Sequence, residues 1–275
     1  MANDRDPRSD LGAYLGDELR RVRLAAGIDS QELLARELGF DRTVIVKAET
    51  GSSPPSKDVA PKIAAKFPEL CNGIYVALAE IARKSNGPIP GWFADWLEAE
   101  REAHTLRVWS PLLVPGLLQT ADYARTLFLA AQFTEDEANE LTGARLARQT
   151  ILEQPDPPQV TFVLDETVLH RQIGSPVTMA GQLGHIASVA ELRNVNIHVL
   201  PAADANAGLS GSFSIASGDG VPDTLLMETV EDHTTHDRAS ARRAAVIFDL
   251  VRRDALPRVP ARALILEASE QWKTR

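Results

Sequence analysis

A single cysteine, Cys71, stands in a chain of 275 residues. That excludes an intrachain disulfide and any multi-cysteine zinc site, and leaves Cys71 as a small buried residue between two helices. Long apolar runs are missing as well: nowhere do about 18 apolar residues follow one another, the length a membrane-spanning helix needs. The first residues, Met1 to Asp6, are charged and lack the apolar centre of a signal peptide, so the chain is expected in the cytoplasm with no membrane partner. Positive charge is short too, with 29 Lys and Arg against 38 Asp and Glu and a formal net charge of −9. The deficit is uneven: residues 11–85 carry 11 basic and 10 acidic side chains, residues 86–275 carry 16 and 25. At about 100 to 200 residues per domain, this length predicts two domains, each with its own core.

What is present is a compact pattern over residues 28–51. Asp29 or Ser30 can cap a helix by accepting a backbone N–H, and Leu33, Leu34 and Leu38 form that helix's inward stripe. Gly39 ends it, because left-handed backbone costs glycine no Cβ clash. Asp41 caps the next helix, along which Val44 or Ile45 and then Ala48 recur at helical spacing, leaving Arg42, Thr43, Val46 and Lys47 to the remaining faces. Upstream, Leu15, Leu19, Val22 and Leu24 or Ala26 give an amphipathic helix ending at Gly27; downstream, Val59, Ile63, Ala64 and Phe67 give another. Two short helices about a tight turn, in a small shared core, are a helix-turn-helix signature, and the second of them is the one that enters a DNA major groove. Arg20, Arg21, Arg23, Arg36, Arg42 and Lys47 can neutralise phosphates and supply the salt-dependent, sequence-independent part of binding. With so small a basic surplus one copy binds modestly, so a homodimer on double-stranded DNA is expected.

Residues 1–10 are polar and are expected as a disordered tail, and Leu70, Ile74, Leu78 and Ile81 continue a helical pattern over 70–85. The densest run of turn formers, Ser85-Asn86-Gly87-Pro88-Ile89-Pro90-Gly91, places a linker at 86–91, between a helix-turn-helix domain over 11–85 and a second domain over 92–275. There the pattern predicts helices over 94–107, 121–132, 136–152, 177–193, 238–253 and 260–272. Strands are predicted over 160–164, 196–200, 212–216 and 224–230, the last two joined by a hairpin turn at Gly218-Asp219-Gly220. The expected fold class is multidomain: an all-α helix-turn-helix domain and an α/β domain of about four strands with helices on one or both faces.

Two stretches resemble known families. Ser30-Gln31, Glu32-Leu33, Ala35, Leu38-Gly39 and Glu49-Thr50-Gly51 resemble the lambda-repressor-like (xenobiotic-response-element type) helix-turn-helix domain. The resemblance implies that Gln31 meets a phosphate at the start of the first helix of the pair and that Arg42, Thr43, Val46 and Lys47 face the groove. Val44 and Val46 stand where polar residues are common; valine can touch a thymine methyl but cannot donate to guanine, which leaves base reading mainly to Arg42 and Lys47. Trp109 to Arg125 with its Val114-Pro115-Gly116-Leu117-Leu118-Gln119-Thr120 run, then Ala144 to Gln149, Pro155 to Pro158, Val163 to Glu166 and Asn196 to Pro201, are similar to the C-terminal domain of WhiJ-type, antitoxin-like regulators of filamentous actinobacteria. That resemblance implies developmental regulation and a partner, a very small acidic protein encoded beside the regulator; it brings no catalytic residue.

Chemistry in the second domain is thin. Gly208-Leu209-Ser210-Gly211-Ser212 approaches a nucleophile elbow but ends in serine and precedes a strand, so a flexible glycine-rich loop is the simpler reading. Asp232, His233, His236 and Asp237 crowd one polar segment without the i, i+4 histidine spacing or third ligand of a zinc site, and read as a solvated loop. Trp92, Phe93 and Trp96 beside Leu97 read first as hydrophobic anchors and second as a ligand cage, and the alternating Glu98, Glu100 and Glu102 as a solvated face before an acidic docking strip. Trp92, Phe93, Trp96 and Glu100 are therefore the candidate partner- or ligand-binding residues. Leu112, Leu113, Val114, Leu117 and Leu118 are more apolar than a connection needs, and are divided between core and an interface. No metal, cofactor or catalysis is expected; the rival reading is a small-molecule sensor, with an enzyme fused to a DNA-binding domain well behind.

Overall fold

A computed structural model describes residues 11–70, 75, 76, 78, 79, 82, 91–202, 207, 208, 211–219, 223–228 and 233–275, without the side chains of 91–95 and His233. The expected N-terminal tail, Cys71, most of the helix expected over 70–85, the linker apart from Gly91, Gly220 of the hairpin turn and Asp232 lie outside the described residues. The chain divides into two units, Met1–Asp95 with Thr134–Arg148, and Trp96–Phe133 with Gln149–Arg275.

In the first unit, α1 (Leu11–Ala25), α2 (Gln31–Leu38), α3 (Arg42–Glu49) and α4 (Val59–Lys66) enclose a core that includes Leu15, Leu19, Leu34, Ile45 and Ile63. Leu33, expected on the inward stripe of α2, is instead 42% exposed: consecutive helical residues lie about 100° apart, and Leu34 takes the core position. Gly16 lets α1 cross the end of α3 closely, since a Cβ there would stand 2.5 Å from the Ala48 carbonyl oxygen and 2.6 Å from that of Glu49. Gly51 is as confined, at φ +65° with a Cβ position 2.5 Å from the Ala13 nitrogen. A further helix of this unit, α7 (Glu135–Arg148), comes from beyond the first stretch of the other unit.

The second unit is built on a six-stranded mixed sheet of order β3-β2-β1-β4-β5-β6, two strands more than expected. Its strands are β1 (Thr105–Ser110), β2 (Gln159–Asp165), β3 (Val195–Leu200), β4 (Ser212–Ser217), β5 (Thr224–Glu228) and β6 (His233–Thr235). β1, β2 and β3 run parallel, and β4, β5 and β6 extend the sheet antiparallel from β1. The helix expected over 94–107 ends early, as α5 (Gly91–Glu102), and its last residues form β1 at the centre of the sheet. Likewise the polar segment around His233 supplies the short edge strand β6 in place of a loop. The remaining helices are α6 (Ala121–Ala130), the single turn α8 (Thr167–His170), α9 (Pro176–Val189), α10 (Arg238–Asp254) and α11 (Arg258–Lys273). One face of the sheet is covered by α10, whose Ala244, Phe248 and Val251 pack with Trp109, Val163, Leu200, Phe213, Ile215 and Leu225. α9 and α11 pair through Ser269 and Arg262, which donate to the Ala180 and Ala187 carbonyls at 2.9 and 3.1 Å.

The apolar run after β1 is a buried irregular segment, and its backbone is satisfied by side chains. Gln182, fully buried, donates to the Leu118 carbonyl at 2.6 Å and accepts from Thr120 N at 2.7 Å. Gln149 donates to the carbonyls of Gly116 and Gln119 at 3.0 and 2.7 Å, and Gln119 donates to that of Val114 at 2.7 Å. Such contacts are what a loop needs to leave the surface. Val114, Leu117 and Leu118 are core, whereas Leu112 and Leu113 are exposed. Among the described residues no helix is long and apolar enough to cross a membrane.

Candidate nucleic-acid interface

The turn between α2 and α3 is fixed by caps at both ends. Ser30 Oγ accepts from Leu33 N at 3.1 Å to open α2, and Gly39, at φ 75°, closes it with its N–H turned to the Ala35 and Arg36 carbonyls. Asp41 Oδ1 accepts from both Thr43 N at 2.8 Å and Thr43 Oγ1 at 2.6 Å to open α3. These bonds hold the exposed Asp41 carboxyl below its ordinary range, the Thr43 hydroxyl contributing most. They also orient Thr43 at the first turn of α3.

One side of α3 is buried through Ile45, Ala48 and Glu49. Arg42, Thr43 and Lys47 are exposed and Val46 is half-buried, so all four expected groove-facing residues sit off the core side of one helix. Lys47 and Arg42 bring the positive charge; Val46 brings a methyl surface. Gln31 is half-buried and donates its amide to Glu49 Oε2 at 2.7 Å. A primary amide has a second N–H, which remains for an anion. An open depression beside the α2 N-terminus is lined by Arg23, Asp29, Ser30, Gln31, Glu32 and Arg42, where the backbone N–H groups of a helix start favour negative charge.

Arg23 departs from the sequence expectation. Grouped there with phosphate-neutralising side chains, it is 5% exposed and committed inward, to Glu49 and to the Ile28 carbonyl at 2.7 Å. The hydrogen bond to Glu49 raises its pKa further, against the opposing effect of burial. Glu49 thus ties together α1, α2 and α3, a role no local signal in the sequence carries.

In the second unit, Trp96 and Glu100 lie one turn apart on α5 and are both buried, at 3% and 4% exposure. The side chains of Trp92 and Phe93 lie outside the described residues. The four candidates are therefore not seen as one exposed cage. Gly208, weighed as part of a nucleophile elbow, carries a carbonyl that accepts from Trp109 Nε1 at 2.8 Å, and a Cβ there would stand 2.4 Å from the indole. Glycine is needed at that point for close approach to the core.

Two family models match the chain. One, described as helix-turn-helix, covers residues 19–69; the other, described as a domain of unknown function (DUF5753), covers residues 93–267. No curated protein and no solved structure matches. The chain belongs, through the larger part of its length, to the DUF5753 family, and it carries a lambda-repressor-like helix-turn-helix domain in its N-terminal part.

Proposed function

We propose that this protein is a sequence-specific, dimeric transcriptional regulator whose second domain receives a small acidic protein partner. The observation that carries the DNA step is the outer surface of α3, where Arg42, Thr43 and Lys47 are exposed on a helix held by two caps and a buried ion pair. A dimer would set two such helices in successive major grooves about 34 Å apart. Arg42 reads a base edge, Val46 meets a thymine methyl, Lys47 takes base or phosphate, and Gln31 with Ser30 seats a phosphate at the α2 N-terminus. The partner step draws support from the resemblance of the second domain to WhiJ-type, antitoxin-like regulators. The reading assigns no catalysis to that domain and puts the protein in the cytoplasm, with DNA. Calorimetry of the full chain with the product of the neighbouring small gene, at tens of micromolar, tests the partner: absence of a complex sinks that step and leaves the DNA step standing.

A small-molecule sensor is the second reading, and one observation favours it. An open depression at the carboxyl ends of β2 and β3 is lined by Glu166, Thr167, His170, Arg171 and Ala202, the end of a parallel sheet where ligands commonly sit. A thermal-shift screen of metabolites separates the two: a raised midpoint supports the sensor, and a blank screen with a positive calorimetric titration supports the partner.

A further inference from the structure

The helix that covers the sheet, α10, carries on its outer side a charge opposite to that of its domain. Its 17 residues bury Ala241, Ala244, Phe248 and Val251. At about 100° per residue, the opposite side is centred on Val246, with Arg242, Arg243, Leu250, Arg253 and one acidic residue, Asp249, around it and Arg238 one turn before Arg242. Val246 is 55% exposed, and the three arginines are exposed. Among the described residues none of Arg238, Arg242 and Arg243 makes a hydrogen bond or ion pair, whereas Arg253 is spent on Asp254. In a stretch with 16 basic and 25 acidic side chains, three unpaired arginines on one helix face are not an average piece of surface.

We propose that the outer face of α10 is the docking surface for an acidic protein segment, an apolar side chain seated on Val246 and Leu250 and flanking carboxylates taken by Arg242 and Arg243. This rests on the reading that the second domain receives a protein partner, and names where. An apolar centre bordered by arginine is the anatomy of a protein interface, and the guanidinium fork matches a carboxylate with two parallel hydrogen bonds. A DNA backbone offers phosphates but nothing apolar for Val246.

The test titrates the full chain, at about 50 mM salt, with a labelled helical peptide carrying a central leucine flanked by glutamates, its glutamine counterpart, and random duplex DNA. The acidic peptide is expected to bind, the glutamine peptide to bind more weakly. Arg242→Glu with Arg243→Glu should weaken the acidic peptide at least roughly tenfold, and Val246→Asp should do the same. Arg193→Glu, at an exposed arginine elsewhere in the domain, should change little. Arg242→Ala alone serves if the double variant does not fold. The proposal is overturned if the wild type fails to bind the peptide, if the variants bind it as the wild type does, or if only duplex DNA responds to them. The neighbouring gene's product keeps the two readings apart. Equal binding to wild type and double variant sinks the α10 surface and spares the partner; peptide binding at α10 without binding of that product spares the surface and sinks that partner.

Discussion

Glu49 grips Arg23 with both oxygens, accepting from Nε at 2.5 Å and from Nη2 at 3.0 Å, with both side chains buried and 26 positions apart in sequence. The pair joins the end of α1 to the end of α3, and Gln31 joins α2 to the same carboxylate. Removing one partner leaves the other a buried charge without compensation. Glu49→Ala is therefore expected to destabilise the first unit by about 3–5 kcal/mol, read from urea unfolding. A loss under about 1 kcal/mol would show that the pair is solvated in solution.

Gly16→Ala should act at the same crossing by sterics alone. Its Cβ would meet the Ala48 and Glu49 carbonyls, which are backbone and cannot rotate away. A loss of about 1–3 kcal/mol is expected, with weaker DNA binding because α3 must shift. Unchanged stability in thermal unfolding would mean that the helices cross less closely than described.

For the second unit, Gln182→Leu keeps the approximate volume but strands Thr120 N–H and the Leu118 carbonyl without their partners. Leaving buried polar groups unmade costs about 1–3 kcal/mol each, so the denaturation midpoint of this unit should fall while the first unit's is unchanged. Equal stability of the variant would refute the account of the buried 114–120 segment.

A pH dependence follows from two half-buried histidines. Burial holds His185 and His198 below the ordinary imidazole value, and Arg252 adds to the effect at His198. A histidine depressed in the fold contributes stability above its unfolded pKa, roughly 6.5, and loses it as pH falls through the folded value. The urea midpoint of the second unit should thus drop between about pH 7 and pH 5, and His198→Gln should remove part of the drop. A midpoint independent of pH over that window contradicts the assignment.

The first unit was largely legible because its signals are local. Ser30, Gly39 and Asp41 act within a few residues of themselves, and the α2–α3 pair with its exposed Arg42, Thr43 and Lys47 follows from caps and period. Arg23 misled because sequence gives a charge its sign but not its partner, and Glu49 lies two helices away. Leu33 misled because neighbouring leucines cannot both face inward. In the second unit β2, β3, β4 and β5 announced themselves as short β-branched and apolar runs. β1 did not: no glycine or proline separates Glu102 from Thr105, although Leu106 and Val108 alternate with Thr105 and Arg107. β6 has three residues and exists only by pairing with β5. The contacts of Gln149 and Gln182 with 114–120 span 30 to 64 residues, which no window over the sequence contains.

The central claim is that α3 reads DNA. Fluorescence anisotropy at fixed salt, with the protein's own upstream region and a scrambled duplex of equal length, tests it with wild type, Arg42→Ala and Lys47→Ala. The account predicts preferential binding to the upstream region at two chains per site. Arg42→Ala should lose about 1–3 kcal/mol there and discriminate less, and Lys47→Ala should weaken both duplexes more evenly. Equal, salt-sensitive binding of the wild type to both duplexes, or equal loss on both for Arg42→Ala, would contradict it.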